Sequence, residues 1–134
     1  MRRRRFLGAL ALGGTFWAAW AGQARAWLPA AGDRPAAARL LALLGRPDSA
    51  AVVGRAYLAS HPAEADRDRL AVRLDQAVRC QGCDPARART GQLRAALAGQ
   101  IRADFAAARV VLVDGWVLSE TEARLCGLAA LSAA

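Results

Sequence analysis

The chain has 134 residues, 55% of them hydrophobic, and its 19 basic residues against 11 acidic ones give a formal net charge of +8. This length fits one small domain rather than several. Five of the basic residues, and none of the acidic ones, precede residue 27, so residues 27–134 carry 14 basic and 11 acidic side chains, a net charge of +3. Nucleic-acid binding calls for a clustered excess of basic charge, so this near balance argues against a nucleic-acid partner.

The first 26 residues have the three parts of a cleavable export signal. Four arginines at positions 2–5 are followed by an apolar run from Phe6 to Ala21 and then by Ala24-Arg25-Ala26. A basic start, an apolar middle and a small-x-small end characterise secretory signal peptides. The sequence therefore predicts export, with cleavage directed by Ala24 and Ala26.

The order of residues in the basic part resembles a more specific signal. Arg3-Arg4-Arg5-Phe6-Leu7 is similar to the twin-arginine translocation (Tat) pattern, an arginine pair followed by any residue and Phe-Leu. The resemblance implies that the Tat export machinery recognises Arg3, Arg4, Phe6 and Leu7. It also implies delivery of a folded chain to the periplasm.

Two other fates of this segment stay open. Arg2 stands where the Tat pattern prefers Ser or Thr, and Gly8 stands where Lys is frequent, which leaves the general secretory route. Residues 6–24, if uncleaved, would be long enough to anchor the chain, since about 17–25 residues span a bilayer as a helix. We expect contact with a membrane only through this segment.

The rest of the chain predicts a mainly α fold with one β-hairpin. Residues 27–33 contain proline and glycine and predict a linker or N-terminal arm, and residues 34–134 predict a single small helical domain. Apolar spacing, caps and stop signals predict about five helices. Their expected ranges are about 34–44, 49–61, 65–79, 90–105 and 120–131. The stripe expected to be buried in the fourth helix consists of Leu93, Leu97, Ile101 and Phe105.

The hairpin is predicted between the last two helices, at about residues 109–118. A continuous β-branched run ends at Val113, Asp114-Gly115 follows, and Trp116-Val117-Leu118 returns. Asp-Gly is a preferred pair for a two-residue type I′ turn, in which both positions need positive φ. That turn pairs Val113 with Trp116, and the register of the rest of the hairpin follows.

A helix start follows the hairpin directly. Ser119 and Glu122 have the spacing of a capping box, in which each side chain accepts a hydrogen bond from the backbone N–H of the other residue. Glu120 and Glu122 also place negative charge near the positive end of the helix dipole.

Two resemblances bear on this part of the chain. The stretch from Val113 to Ser119, with Arg124-Leu125-Cys126, is similar to a segment of small Tat-exported bacterial proteins of unknown function, and it implies no catalytic residue. In architecture alone, a Tat signal before a small helical body resembles the small subunits of periplasmic flavin-linked dehydrogenases. That resemblance implies an accessory role beside a larger protein.

The three cysteines are candidates for a disulfide. Cys80 and Cys83 form a C-x-x-C motif, Cys126 is the third, and thiols in an oxidising periplasm tend to pair. Which two residues pair is left open. A redox centre favours a motif at a helix start, whereas this one follows a predicted helix end, and Asp84 stands where c-type haem attachment needs His. A zinc site formed with His61 is an alternative.

The sequence favours a non-catalytic accessory protein or small subunit that binds a larger periplasmic partner, such as an oxidoreductase. It contains no phosphate-binding loop, metal-spaced histidines or nucleophile elbow, so we predict neither catalytic residues nor a cofactor. The alternatives are a thiol- or metal-dependent protein using Cys80, Cys83 and Cys126, and a stand-alone envelope binding module. Trp116 is the candidate partner-binding residue, because tryptophan is enriched at binding hot spots; the core is its other expected place.

Overall fold

A computed structural model describes residues 34–134, so the predicted signal and linker lie outside the described residues. Within that range the fold is mainly helical, with an antiparallel two-stranded hairpin before the last helix, as the sequence predicts. The elements in chain order are α1 (Arg34–Leu41), α2 (Pro47–Ser60), a short 3-10 helix (Pro62–Glu64), α3 (Arg67–Cys80), α4 (Thr90–Ala106), β1 (Val110–Val113), β2 (Trp116–Ser119) and α5 (Glu120–Ser132).

Three helix boundaries differ from the expected ones. Helix α1 ends at Leu41 because the next backbone N–H groups form tighter i to i−3 bonds, such as Leu44 N–H to Leu41 O at 3.0 Å. Helix α2 begins at Pro47, which suits a first helical position because that position's N–H has no partner within the helix. Helix α3 begins after Asp66, whose carboxylate accepts the N–H of Arg69 at 2.9 Å.

Helix α5 lies at the centre of the core. Its buried side chains pack against leucines and valine of the surrounding helices, and the largest cluster includes Leu40, Leu70, Leu74, Val78, Leu93, Leu97, Leu125 and Leu128. Burial of these side chains is the main force that holds the helices together. The predicted stripe of α4 is correct at Leu93 and Leu97, and Ile101 packs partly buried against the same cluster. Phe105 is exposed, because a series at i+4 spacing drifts around a helix of 3.6 residues per turn, and Asp104 takes the buried face of the last turn instead.

Helices α2 and α5 approach each other closely at a glycine. An added Cβ on Gly54 would lie 1.9 Å from the carbonyl oxygen of Cys126 and 2.9 Å from the backbone nitrogen of Gly127. No side chain fits in that space, so Gly54 sets the distance between the two helix backbones.

The hairpin has the predicted register and turn. Val113 pairs with Trp116 and Leu112 with Val117. The φ angles of Asp114 and Gly115 are 48° and 83°, as a type I′ turn requires.

The predicted capping box at the start of α5 is formed. The Glu122 N–H donates to Ser119 Oγ at 3.0 Å, and the Ser119 N–H donates to Glu122 Oε2 at 2.9 Å. Ser119 is fully buried, so water cannot replace the lost acceptor.

We expect Ser119→Ala to lower the free energy of unfolding by about 1–2 kcal/mol, because it removes a buried cap. The measurement is urea denaturation. Ser60→Ala is the control, since Ser60 Oγ is exposed and donates to Ala56 O at 3.3 Å near the end of α2. Equal stability of the two variants would contradict the capping assignment.

Candidate interaction surface

The outer face of the hairpin is apolar and exposed. Leu112 and Val117, a cross-strand pair, are 66% and 57% exposed, and Val110 is also exposed on the same face. Trp116, next to the turn, is 75% exposed but belongs to the opposite face, because it pairs with the buried Val113. We call these four side chains the hairpin surface: Val110, Leu112, Trp116 and Val117.

The inner face of the hairpin, by contrast, is covered by helices. Val113 is only 5% exposed and packs with Tyr57 and Ala123, and Val111 and Leu118 lie against the same cluster. Trp116 pairs with Val113 but lies in solvent, so the tip of the hairpin extends past the helices. The alternative that Trp116 belongs to the core is therefore wrong.

The apolar character of the outer face was present in the sequence. The continuous apolar run from Val110 to Val113 is typical of a strand covered on both faces. Within residues 34–134, other parts of the chain cover only one face of this strand. Leu112 and Val117 were not predicted as surface residues, although their pairing with each other follows from the turn and puts both on one face.

A buried carboxylate fixes the base of the hairpin. Asp104 of α4 is 2% exposed, and its Oδ2 accepts from the N–H and the hydroxyl of Thr121 at 3.0 and 2.5 Å. Its Oδ1 accepts from Arg109 Nε and Nη2 at 3.1 Å and from Gln100 Nε2 at 2.9 Å. The carboxylate thus joins α4, the chain entering β1 and the first turn of α5.

The surroundings of Asp104 also determine its ionisation. Burial alone would raise the pKa of this carboxyl, but the hydrogen bonds from Thr121, Gln100 and Arg109 outweigh it and hold the pKa below the usual range. The group is therefore a carboxylate at neutral pH, and its partners keep the hairpin in a fixed position.

The backbone supports the same joint. Just after the end of helix α4, Ala108 has a φ of 55°, and the Arg109 N–H donates to Asp104 O at 2.8 Å. This is the six-to-one bond of a Schellman helix end. The Glu120 N–H, just after β2, donates to Arg109 O at 3.1 Å. Arg109, just before β1, therefore connects the start and the end of the hairpin.

A second polar cluster forms around Glu64 and includes Tyr57, which also packs with Val113 beneath the hairpin. Glu64 accepts from Tyr57 Oη at 2.6 Å and from Arg124 Nε and Nη2 at 3.1 and 3.2 Å, and Arg73 Nη1 is 3.3 Å away. Burial acts to raise the pKa of Glu64, but these donors and charges lower it overall. The cluster joins the 3-10 helix to α2, α3 and α5, and we interpret it as structural.

The predicted disulfide is not present. Cys80, Cys83 and Cys126 are free, and no two of them lie at disulfide distance. Cys80 ends α3 and is exposed, whereas the left-handed residue Gly82 turns the chain so that Cys83 packs against the core. Cys126 belongs to α5. Burial raises the pKa of its thiol, and the negative charge of Glu122 raises it further by a smaller amount.

The zinc site proposed for the three cysteines and His61 finds no support among the described residues. Between residues 34 and 134, no three His, Cys, Asp or Glu side chains lie close enough together to hold a metal ion. His61 lies at the end of α2, where its ring stacks on Tyr57 with centroids 4.6 Å apart.

The predicted signal residues lie outside the described part of the chain. These are the recognition residues Arg3, Arg4, Phe6 and Leu7 and the cleavage residues Ala24 and Ala26. Across residues 34–134, no helix combines the length and apolar composition needed to cross a bilayer.

Comparison with known proteins identifies no relative of this chain. No protein-family model matches the chain, and neither a curated protein nor a solved structure shows significant similarity to it.

Proposed function

We propose that the chain is an exported, non-catalytic accessory protein that binds a larger protein partner in the periplasm through the hairpin surface. The observation that carries this proposal is the exposed apolar face of the hairpin, with Trp116 at its tip. Exposed apolar side chains on one face of a hairpin, with an exposed tryptophan next to its turn, are typical of interaction sites.

The position of the hairpin supports a binding role. Its inner face rests on the helices and its base is held by Asp104, so the exposed side chains are presented on a fixed scaffold. A surface that is already ordered loses little conformational entropy on binding, and more of the contact energy then appears as affinity.

The proposed location rests on the signal pattern. The Tat route carries folded proteins, often with a cofactor or a partner, and a chain with no cofactor motif has a folded partner as an economical reason to use it. We would test a large periplasmic oxidoreductase first. The small subunits of flavin-linked dehydrogenases combine a Tat signal with a small helical body, and this analogy is one of architecture.

The export part of the proposal makes its own prediction. We expect the double substitution Arg3→Lys and Arg4→Lys to leave the precursor in the cytoplasm, because the arginine pair is the recognised feature of a Tat signal. The measurement is cell fractionation with detection of precursor and mature chain. Arg2→Lys with Arg5→Lys is the control, since it changes the same number of arginines outside the pair. Normal export of the Arg3 and Arg4 variant would contradict the Tat route.

The partner-binding part predicts a specific loss at Trp116. We expect Trp116→Ser to weaken partner binding by about 2 kcal/mol or more, as truncation of a hot-spot residue does. The free energy of unfolding should change by less than about 0.5 kcal/mol, because the side chain is exposed. The measurement is co-purification from the periplasm under gentle conditions, together with urea denaturation.

Val52→Ser is the matched control for that experiment. Val52 is an exposed apolar residue on α2, outside the hairpin surface, so its substitution should leave the recovery of the partner unchanged. Recovery of the wild-type chain only as a stable monomer would contradict the accessory role and favour a stand-alone binding module. Recovery of the partner with Trp116→Ser at the wild-type level would remove Trp116 from the interface.

A further inference from the structure

A cleft lies on the α3–α4 side of the molecule, away from the residues of the hairpin surface. It has a volume of about 630 Å³ and is formed by the turn after α3 and one face of α4. Small-molecule sites in proteins have volumes of roughly 300–1,000 Å³, so the cleft is large enough for a small ligand.

The floor of the cleft is made of small side chains. Ala95, Ala96 and Gly99 of α4 line it, and Gln81 crosses α4 at Gly99, where an added Cβ would lie 2.9 Å from Gln81 Oε1. Gln81 Nε2 then donates to Gln100 Oε1 at 3.0 Å. This bond holds one wall in place and leaves an apolar floor beside it.

Two arginines give the cleft its charge. Arg87 and Arg102 line it, and within residues 34–134 the guanidinium of Arg102 has no ion-pair or hydrogen-bond partner. The one acidic lining residue, Asp84, uses its Oδ1 to accept the Ala86 N–H at 3.0 Å and lies 3.3 Å from Arg79 Nη2. Its Oδ2 is 3.9 Å from Arg87 Nε, a distance that leaves the guanidinium N–H groups of Arg87 available.

The loop that carries this wall is firmly held. The Arg39 guanidinium of α1 donates to the backbone carbonyls of Pro85 and Ala88, and Pro85 is buried. The N–H groups of Arg87 and Ala88 both donate to Asp84 O, at 3.1 and 2.8 Å. The cleft is therefore formed before any ligand arrives, as is usual for small-molecule sites.

We propose that this cleft binds a small organic anion with a carboxylate or phosphate group. Arg87 and Arg102 hold the charged group, since planar guanidinium groups pair well with both anions. The nonpolar part of the ligand lies on the floor of Ala95, Ala96 and Gly99. This site is separate from the hairpin surface and does not depend on the proposed partner.

The test uses the full chain with two probes, inorganic phosphate and phenyl phosphate, followed by amide NMR titration. We expect saturable shifts at Gly82, Cys83 and Gly99 with both, and tighter binding of phenyl phosphate because its ring covers the floor. Arg102→Gln and Arg87→Gln should each weaken binding about tenfold, the effect of removing a hydrogen bond to a charged group.

Two further variants separate the parts of the proposal. Arg94→Gln removes an exposed arginine of the same helix that does not line the cleft, and it should leave both affinities unchanged. Ala95→Leu should reduce binding of phenyl phosphate and spare inorganic phosphate. The proposal is overturned if neither probe gives saturable shifts at the cleft, or if Arg94→Gln weakens binding as much as Arg102→Gln does.

Discussion

Replacing Gly54 with alanine is expected to lower the free energy of unfolding by about 3 kcal/mol or more. The new Cβ would lie 1.9 Å from the Cys126 carbonyl oxygen and 2.4 Å from its carbon, and both atoms belong to the backbone of α5. A rotamer change cannot relieve that overlap, so α2 and α5 have to separate. Overpacking of this kind typically costs about 1–3 kcal/mol and sometimes more, and a rigid backbone places this case at the upper end.

Gly91 and Gly99, both in helix α4, provide matched controls for Gly54 of α2, and urea denaturation is the measurement. An added Cβ on Gly91 meets nothing within 4 Å, so Gly91→Ala should be neutral or stabilise by up to about 1 kcal/mol through helix propensity. Gly99→Ala meets only the flexible end of Gln81 and should have an intermediate effect. If Gly54→Ala is as stable as Gly91→Ala, the close contact between α2 and α5 is wrong.

Substitution of the carboxylate under the hairpin should have an effect of similar size. We expect Asp104→Asn to lower the free energy of unfolding by about 3 kcal/mol, because it weakens bonds from Thr121, Arg109 and Gln100 at a buried position. The amide also places an N–H₂ donor where one carboxylate oxygen now accepts, so at least one donor loses its partner.

The same carboxylate predicts how stability depends on pH. Because its folded pKa lies below the unfolded value of about 4, it stabilises the fold fully at pH values above 4. That contribution is lost as the pH falls through the folded pKa, since the unfolded chain then binds a proton that the folded chain resists. As the pH is lowered from about 5 to about 2, the free energy of unfolding of the Asp104→Asn variant should therefore fall less than that of the wild type.

Asp68→Asn is the control for both measurements. Asp68 is exposed in the first turn of α3, so its substitution should change the stability at neutral pH by less than about 0.5 kcal/mol. The wild-type pH profile should also persist in this variant. An Asp104→Asn variant as stable as Asp68→Asn would show that the Asp104 hydrogen bonds do not hold the hairpin.

Features set by neighbouring residues could be predicted from the sequence. The Asp114-Gly115 turn, the strand register and the Ser119–Glu122 capping box each depend on a few consecutive residues, and all three are confirmed. Helix ends were predicted to within a few residues, because stop signals such as Gly82 act locally.

Features set by distant residues could not be predicted in this way. In the sequence, Asp104 looks like an ordinary acidic residue of a helix, and only the tertiary fold brings its carboxylate into contact with Thr121. Glu64 and Arg124 are 60 residues apart in the chain, and no local pattern joins them. The disulfide prediction rests on compartment and spacing, whereas the turn at Gly82 decides where the thiols of Cys80 and Cys83 lie and the packing of α5 decides where that of Cys126 lies.

The proposed function depends most directly on whether the hairpin surface touches a partner in the cell. We would place a photo-reactive phenylalanine analogue at position 112 or 117 of the full chain, with position 68 as the control, and irradiate intact cells. We expect one adduct of the same larger mass when the analogue replaces Leu112 or Val117, and no such adduct when it replaces Asp68. No adduct from the hairpin, the same adduct from all three positions, or an adduct of two copies of this chain would contradict it.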